Sequence, residues 1–113
     1  MTDDVLVEKI LRAVELVPPG TVATYGDIAR VVGIGPRHVG NVLARWGAGV
    51  CWWRVTNRDG ELPAALLEDA RRRWTAEGVT LSETGRGCRI TEHRADVQNL
   101  ADRWRSAVED LSG

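Results

Sequence analysis

Two tryptophans stand side by side in Gly49-Val50-Cys51-Trp52-Trp53-Arg54-Val55, between a glycine-rich link and the turn signal Asn57-Arg58-Asp59-Gly60. No other stretch restricts the fold as strongly, because two adjacent indoles carry more apolar surface than a short solvated segment can leave in water. The β-branched and aromatic content predicts a strand. Alternation then sends Val50, Trp52 and Arg54 to one face and Cys51, Trp53 and Val55 to the other. One indole is expected in the core, and Trp52 is expected to line a cleft.

At 113 residues the chain is read as one domain, 1–113, large enough for a core without staples. No apolar run approaches membrane-spanning length, and the N-terminus carries Asp3 and Asp4 rather than a basic signal region. The expectation is a cytoplasmic protein with no membrane partner. Cys51, Cys88, His38 and His93 lack metal-ligand spacing, so no cofactor, metal or disulfide is expected.

The formal net charge of -1 hides an uneven distribution. From Ile28 to Arg58 the basic residues are Arg30, Arg37, Arg45, Arg54 and Arg58, while all 16 acids lie in the flanks. A one-signed block inside a neutral protein suggests a field aimed at an anionic partner; the plainer alternative is a chance cluster of surface arginines.

Hydrophobic periodicity predicts a first helix over Thr2–Val17 with Leu6, Ile10, Ala13, Val14 and Val17 on one face, ended by Pro18-Pro19-Gly20. Thr24 and Asp27 have capping-box spacing at the start of a second helix that Gly33 terminates. Pro36 opens a third helix to about Trp46, with Val39, Val42, Leu43 and Trp46 as its apolar stripe and Arg37, His38, Asn41 and Arg45 as its polar side. Helix, glycine turn and helix with a polar face is the helix-turn-helix pattern. Gly40 and Ala44 lie between the two sides. A glycine inside a helix costs about 1 kcal/mol against alanine, so it points either to close approach of a nucleic-acid groove or to tight helix packing within the domain.

The tryptophan strand, the Asp59-Gly60 turn and a return read as a wing. A fourth helix is expected from about Ala64 to Glu77, with Leu66, Leu67, Ala70 and Trp74 inward and Arg71-Arg72-Arg73 solvated beside Glu68 and Asp69. Val79–Leu81 and Cys88–Ile90 could be two short strands. From Thr91 the chain reads as one further helix, packing back through Val97, Leu100, Ala101, Trp104, Val108 and Leu111. The fold class is therefore α+β and mostly helical: a winged helix-turn-helix-like domain with a small β-wing (1–81) and an additional C-terminal helix (91–111).

Four blocks carry a more specific signal: Pro19-Gly20-Thr21-Val22-Ala23-Thr24-Tyr25-Gly26-Asp27-Ile28-Ala29, Pro36-Arg37-His38-Val39-Gly40-Asn41-Val42-Leu43, Trp52-Trp53-Arg54-Val55 and Glu77-Gly78-Val79. In order and approximate spacing they resemble the C-terminal domain of O6-alkylguanine-DNA alkyltransferases, from about Val5 to Leu81. In that family the third block reads Pro-Cys-His-Arg-Val; the cysteine accepts the alkyl group, and the histidine with a later glutamate activates it. Aligned on Arg54 and Val55, Trp52 stands at the nucleophile position and Trp53 at the histidine position. Cys51 stands at the proline, and Glu77 matches the glutamate with no histidine to orient. Indole offers neither a nucleophilic lone pair nor a base, so the chain is similar to the alkyltransferase-like proteins, which bind alkylated guanine without repairing it.

The resemblance implies a protein that is not an enzyme. Its partner would be double-stranded DNA with O6-alkylguanine, which it flags for nucleotide excision repair proteins, as a cytoplasmic, nucleoid-associated monomer. It implies that Tyr25 pushes the nucleotide out, that Arg37 fills the vacated stack and that the helix from Pro36 lies in the minor groove. The residues expected to meet DNA are Thr24, Tyr25, Arg37, His38, Gly40, Asn41, Ala44 and Arg45; those expected around the lesion are Tyr25, Trp52, Trp53 and Arg54. Arg54 is expected to hold structure rather than read DNA. The loop from Arg58 to Pro63 is shorter than in many family members. Two other readings compete: a winged-helix DNA binder without lesion preference, and a thiol enzyme using Cys51.

Overall fold

The computed structural model describes residues 4–111. The first helix, α1, runs Asp4–Glu15 and buries Val7, Ile10, Ala13 and Val14; Thr2 and Asp3 lie outside the described residues. After Pro18-Pro19-Gly20 come a short strand β1, Ala23–Thr24, and then α2, Tyr25–Val32. The capping box forms in full: Thr24 Oγ1 accepts from Asp27 N at 2.9 Å, and Asp27 Oδ2 accepts from Thr24 N at 3.0 Å. Gly33 closes α2 with φ 89°, a left-handed cap that glycine adopts without strain. Helix α3, Pro36–Trp46, follows with proline in its first turn.

Helices α1, α2 and α3 share one core, built on Ile10, Val14, Ile28, Val39 and Val42. Trp46 lies outside it, 38% exposed and at the helix end, with the Arg45 guanidinium 5.0 Å from its ring centre. The apolar stripe thus stops at Leu43.

The tryptophan segment is not a strand. Residues Trp52–Arg54 form a single 3₁₀ turn, and only Val55–Thr56 is extended, as β2. β2 pairs in parallel with β1, Ala23 against Val55 and Thr24 against Thr56. A parallel pair needs a crossover, and here α2 and α3 supply it. The pairing ties the N-terminus of α2 to the end of the tryptophan turn. The expected reversal does occur at Asn57–Glu61, where Asn57 N donates to Glu61 O at 3.1 Å and Asn57 Oδ1 accepts from Asp59 N and Glu61 N. The returning chain bridges to Gly87 through Glu61 and not to β2.

Helix α4, Ala64–Glu77, buries Leu67, Ala70 and Trp74; Leu66, expected inward, is 39% exposed. With Val22, Leu62, Val79, Cys88 and Ile90 these residues form a second apolar cluster. The two expected strands after α4 reduce to one antiparallel bridge, Leu81 with Cys88.

The last expected helix is broken. A short α5, Ile90–His93, is followed by extended residues and then α6, Val97–Ala107, capped by Asp96. The break has a cause. Val22 N donates to His93 O and Ala95 N to Val22 O, so the linker is bound beside β1. Arg94 reaches Asp27 through Nε at 3.1 Å and Nη2 at 2.7 Å. Packing of α6 on the domain holds as expected: Leu100 is buried, Trp104 Nε1 donates to Lys9 O at 2.9 Å, and Arg12 donates to Ala107 O at 2.8 Å.

Burial raises the pKa of the Asp27 carboxyl, but the Arg94 and Thr24 hydrogen bonds outweigh it and hold the group below its ordinary 3.8. A depressed folded-state value means that Asp27 contributes stability above its unfolded value and loses it as pH falls through the folded one. Asp27→Asn is expected to cost about 2 kcal/mol, since the amide turns a donor toward a donor at a site 1% exposed. Thermal melts at pH 7 and pH 3 check both parts: a lower Tm for the variant at neutral pH, and a smaller gap between the two proteins in acid.

Candidate nucleic-acid interface and base site

The 3₁₀ turn decides where the two indoles go. In a strand, Trp53 and Arg54 would face apart; in the turn they converge on one carboxylate. Glu77, the last residue of α4, accepts from Trp53 Nε1 at 2.9 Å, from Arg54 Nη2 at 2.7 Å and Nε at 3.0 Å, and from Gly20 N at 3.1 Å. Glu77 therefore does have an aromatic N–H to orient, an indole in place of the imidazole. Arg54 also donates to Val17 O at 3.0 Å and is 14% exposed, which makes it a brace. Burial raises the Glu77 pKa, and the Arg54, Gly20 and Trp53 bonds bring it net below its ordinary 4.5. A carboxylate held this way is a poor proton acceptor.

Neither Trp52 nor Trp53 is sealed in the interior; both are half-buried, and the fully buried indole is Trp74, which donates to Trp53 O at 2.7 Å. Trp52 stands edge-on to Trp53, ring centres 5.7 Å apart. Trp52 and Tyr25 rest on the same second cluster, and Tyr25 also touches the first, so it sits at the seam between them. Burial raises the Tyr25 pKa. Its hydroxyl has no hydrogen-bond partner among the described residues, yet no side-chain oxygen that lacks a partner is buried there, so the polar tip reaches solvent. Tyr25 is not a capped core tyrosine.

Cys51 lies on the far side of the turn. Its thiol donates to Val14 O at 3.2 Å. Burial raises its pKa, against the pull of Arg54. A thiol kept protonated and bonded to a carbonyl is not an activated nucleophile. Cys88 is buried in the second cluster, its pKa pushed up to about 11.

The exposed side of α3 carries Arg37, His38, Asn41, Ala44 and Arg45. Apart from Arg45 over Trp46, none of these side chains has a hydrogen bond or ion pair among the described residues. Gly40 shares that helix, and a Cβ built on it would meet nothing within 4 Å. Tight packing inside the domain therefore does not explain this glycine. Thr24 is the exception among the expected DNA contacts: its hydroxyl is consumed in the capping box and it is 6% exposed, behind the surface rather than on it.

Arg73 was not expected here. It stands one turn before Glu77 on the same helix face, a spacing at which side chains meet. Its guanidinium carbon lies 4.2 Å from the Trp53 ring centre and 5.9 Å from that of Trp52. The arginine run is expected to be solvated and partly offset by Glu68 and Asp69, and the Asp69 part holds. Arg72 and Arg73 share Asp69, while Arg71 is turned to the loop and donates to Gly85 O at 2.8 Å.

A helix pair with an uncommitted basic face and a half-buried aromatic site behind it defines a winged helix-turn-helix-like DNA-binding domain. Residues 6–79 match the 6-O-methylguanine DNA methyltransferase DNA binding domain, and the chain belongs to that family, as an alkyltransferase-like member. A DNA base-flipping protein of Escherichia coli is 37% identical over 89 residues, spanning 74% of this chain and 69% of the relative. One from Vibrio parahaemolyticus is 34% identical, spanning 74% and 89%. Among solved structures, S. pombe Atl1 in complex with damaged DNA containing O6-carboxymethylguanine superposes with TM-score 0.70 at 31% identity, over 83% of this chain and 97% of that one. S. pombe ATL in complex with DNA gives 0.69.

Both thiols are expected to react with iodoacetamide at pH 8 several-fold more slowly in the folded protein than in urea, because burial holds them protonated. Mass spectrometry over time checks this, and a Cys51 that labels as fast folded as unfolded would contradict it.

Proposed function

We propose that this protein binds duplex DNA containing an O6-alkylguanine, turns the damaged nucleotide out of the helix and holds its base against Trp52 without transferring the alkyl group. The observation that carries the reading is the place of Trp52: half-buried, at the nucleophile position two residues before Arg54, on the same apolar cluster as Tyr25. The relatives, DNA base-flipping proteins and S. pombe Atl1 in complex with O6-carboxymethylguanine DNA, support it.

Rotating a nucleotide out costs a few kcal/mol of stacking and pairing. Tyr25, with a free polar tip at the N-terminus of α2, pushes against the flipped nucleotide. Arg37, at the start of α3 and without a partner among the described residues, fills the gap and hydrogen-bonds the orphaned base. Helix α3 enters the minor groove, where Gly40 and Ala44 allow close approach, and His38, Asn41 and Arg45 meet the backbone. The flipped base stacks on Trp52, and Trp53 and Arg54 act from behind through Glu77.

The absence of chemistry follows from the same parts. Trp52 offers no nucleophile, the Glu77 carboxylate is engaged, and the Cys51 thiol faces Val14. With no turnover, the complex persists as a mark, which suits a monomer in the cytoplasm or on the nucleoid that hands the lesion to nucleotide excision repair proteins.

Matched duplexes with guanine or O6-methylguanine, at one fixed salt concentration, test the reading. The modified duplex should bind more tightly, and no methyl group should move to Cys51 by mass spectrometry. Trp52→Ala should remove about 1–3 kcal/mol of the preference, the usual worth of an aromatic stack under a base, with little change in binding of undamaged DNA. Equal binding of the two duplexes by the wild type would leave a winged-helix binder without lesion preference.

Gly40→Ala separates groove from fold. With open space at its Cβ, the variant should be more stable by about 1 kcal/mol, yet bind both duplexes more weakly by a similar factor. A titration and a melt on the same sample check the pair of effects.

A further inference from the structure

The arginines around the aromatic site differ in what they have left to give. Arg54 has Nε and Nη2 on Glu77 and Nη1 on Val17 O, and its charge is matched by that carboxylate. Arg71 is bound to Gly85 O through Nε and Nη2. Arg73 has one bond, Nε to Asp69 Oδ1 at 3.2 Å, and Asp69 also serves Arg72 at 3.1 Å. One carboxylate therefore faces two guanidiniums. Among the described residues nothing accepts from Nη1 or Nη2 of Arg73.

That unspent fork is held in place. Its carbon lies 4.2 Å from the centre of the Trp53 ring, whose position is fixed by Glu77, and 5.9 Å from the Trp52 ring centre. The side chain is 43% exposed, so the free nitrogens are open to an incoming group. A guanidinium fork in front of an aromatic shelf matches a carboxylate, which accepts two parallel N–H bonds. A neutral alkyl chain of the same length gains nothing from it.

We infer that Arg73 is a specificity-determining residue of the base site and that it selects O6 substituents ending in a carboxylate over neutral ones of similar size. This rests on the base-site reading given above. A base stacked on Trp52 carries its O6 substituent at the ring edge, and the Arg73 guanidinium, 5.9 Å from the Trp52 ring centre, is within the span of a carboxymethyl arm. Charge-assisted hydrogen bonds are the stronger kind, and Arg73 is short of negative charge before the ligand arrives.

Competition binding decides it, with four duplexes identical except for one base: guanine, O6-methylguanine, O6-propylguanine and O6-carboxymethylguanine. The wild type should bind the carboxymethyl duplex about tenfold more tightly than the propyl duplex, an effect in the range of one charged hydrogen bond. Arg73→Gln, which keeps helix propensity at an exposed position, should bring that ratio close to one and leave the propyl-to-guanine ratio in place. Asp69→Asn, which removes the shared carboxylate, should widen the ratio. Three outcomes overturn the proposal: equal binding of the two duplexes by the wild type, a ratio unchanged in Arg73→Gln, or a uniform loss on all four duplexes, which marks a phosphate contact. If no modified duplex outbinds guanine, the base-site reading fails with it; if both do and only the charge preference is missing, the Arg73 inference alone fails.

Discussion

The carboxylate of Glu77 is the contact on which the rest of the aromatic site depends. It gathers the last turn of α4, the loop at Gly20, the Trp53 indole and the Arg54 guanidinium on its two oxygens. Four donors from two separate parts of the chain fix one geometry on the end of a third, and each bond is stronger for being charge-assisted and half-buried. Trp53 and Arg54 can reach the same oxygen only if the backbone there is a tight turn. The 3₁₀ conformation of Trp52–Arg54 is the local consequence of that shared partner, and the direction of Trp52 follows from the turn.

A second joint completes the arrangement. The two-residue parallel pair between β1 and β2 is too short to stabilise anything alone, yet it sets Thr24 beside Thr56. Tyr25 is the next residue after Thr24, so its position relative to the tryptophan turn is fixed by backbone hydrogen bonds. The capping box and Arg94 hold the same corner from the other side through Asp27. Because the chain between α5 and α6 must stay extended to deliver Arg94, the C-terminal helix breaks there.

The helices were legible in the sequence because their signals are local. Thr24 and Asp27 at capping-box spacing, Gly33 and Gly78 at helix ends and Pro36 at a first turn each act within a few residues, and all of them hold. The tryptophan segment was misread because strand propensity carried the argument, while a long-range carboxylate decided the backbone. Trp46 and Leu66 fit the apolar periodicity of their helices and still face water, since periodicity does not say how wide the neighbouring element is. Around the candidate site, the matched blocks singled out Tyr25, Arg37, Trp52 and Glu77. They left out the indole-to-carboxylate bond and Arg73, although the four-residue step from Arg73 to Glu77 was in plain view. Thr24 was assigned to the surface because a residue type suited to DNA contact is equally suited to a cap.

The division of arginines gives the site its energetic logic. Those of α4 have intramolecular partners to differing degrees, whereas on the polar side of α3 Arg37, His38 and Asn41 have none among the described residues and Arg45 has only the Trp46 ring. A field from α3 acts over roughly 10 Å at ordinary salt, so acids packed elsewhere in a neutral chain do not cancel it. Phosphates are the same in damaged and intact DNA, however, so that field sets how tightly any duplex is held and contributes nothing to the choice between them. On the reading proposed above, the difference comes from groups that meet only the flipped base, and around Trp52 those are aromatic faces, the Arg54 guanidinium braced on Glu77 and the Arg73 guanidinium that shares Asp69 with Arg72. On the proposed reading, an indole at the position of a reactive sulfur removes a reaction and enlarges the surface on which the two bases are told apart.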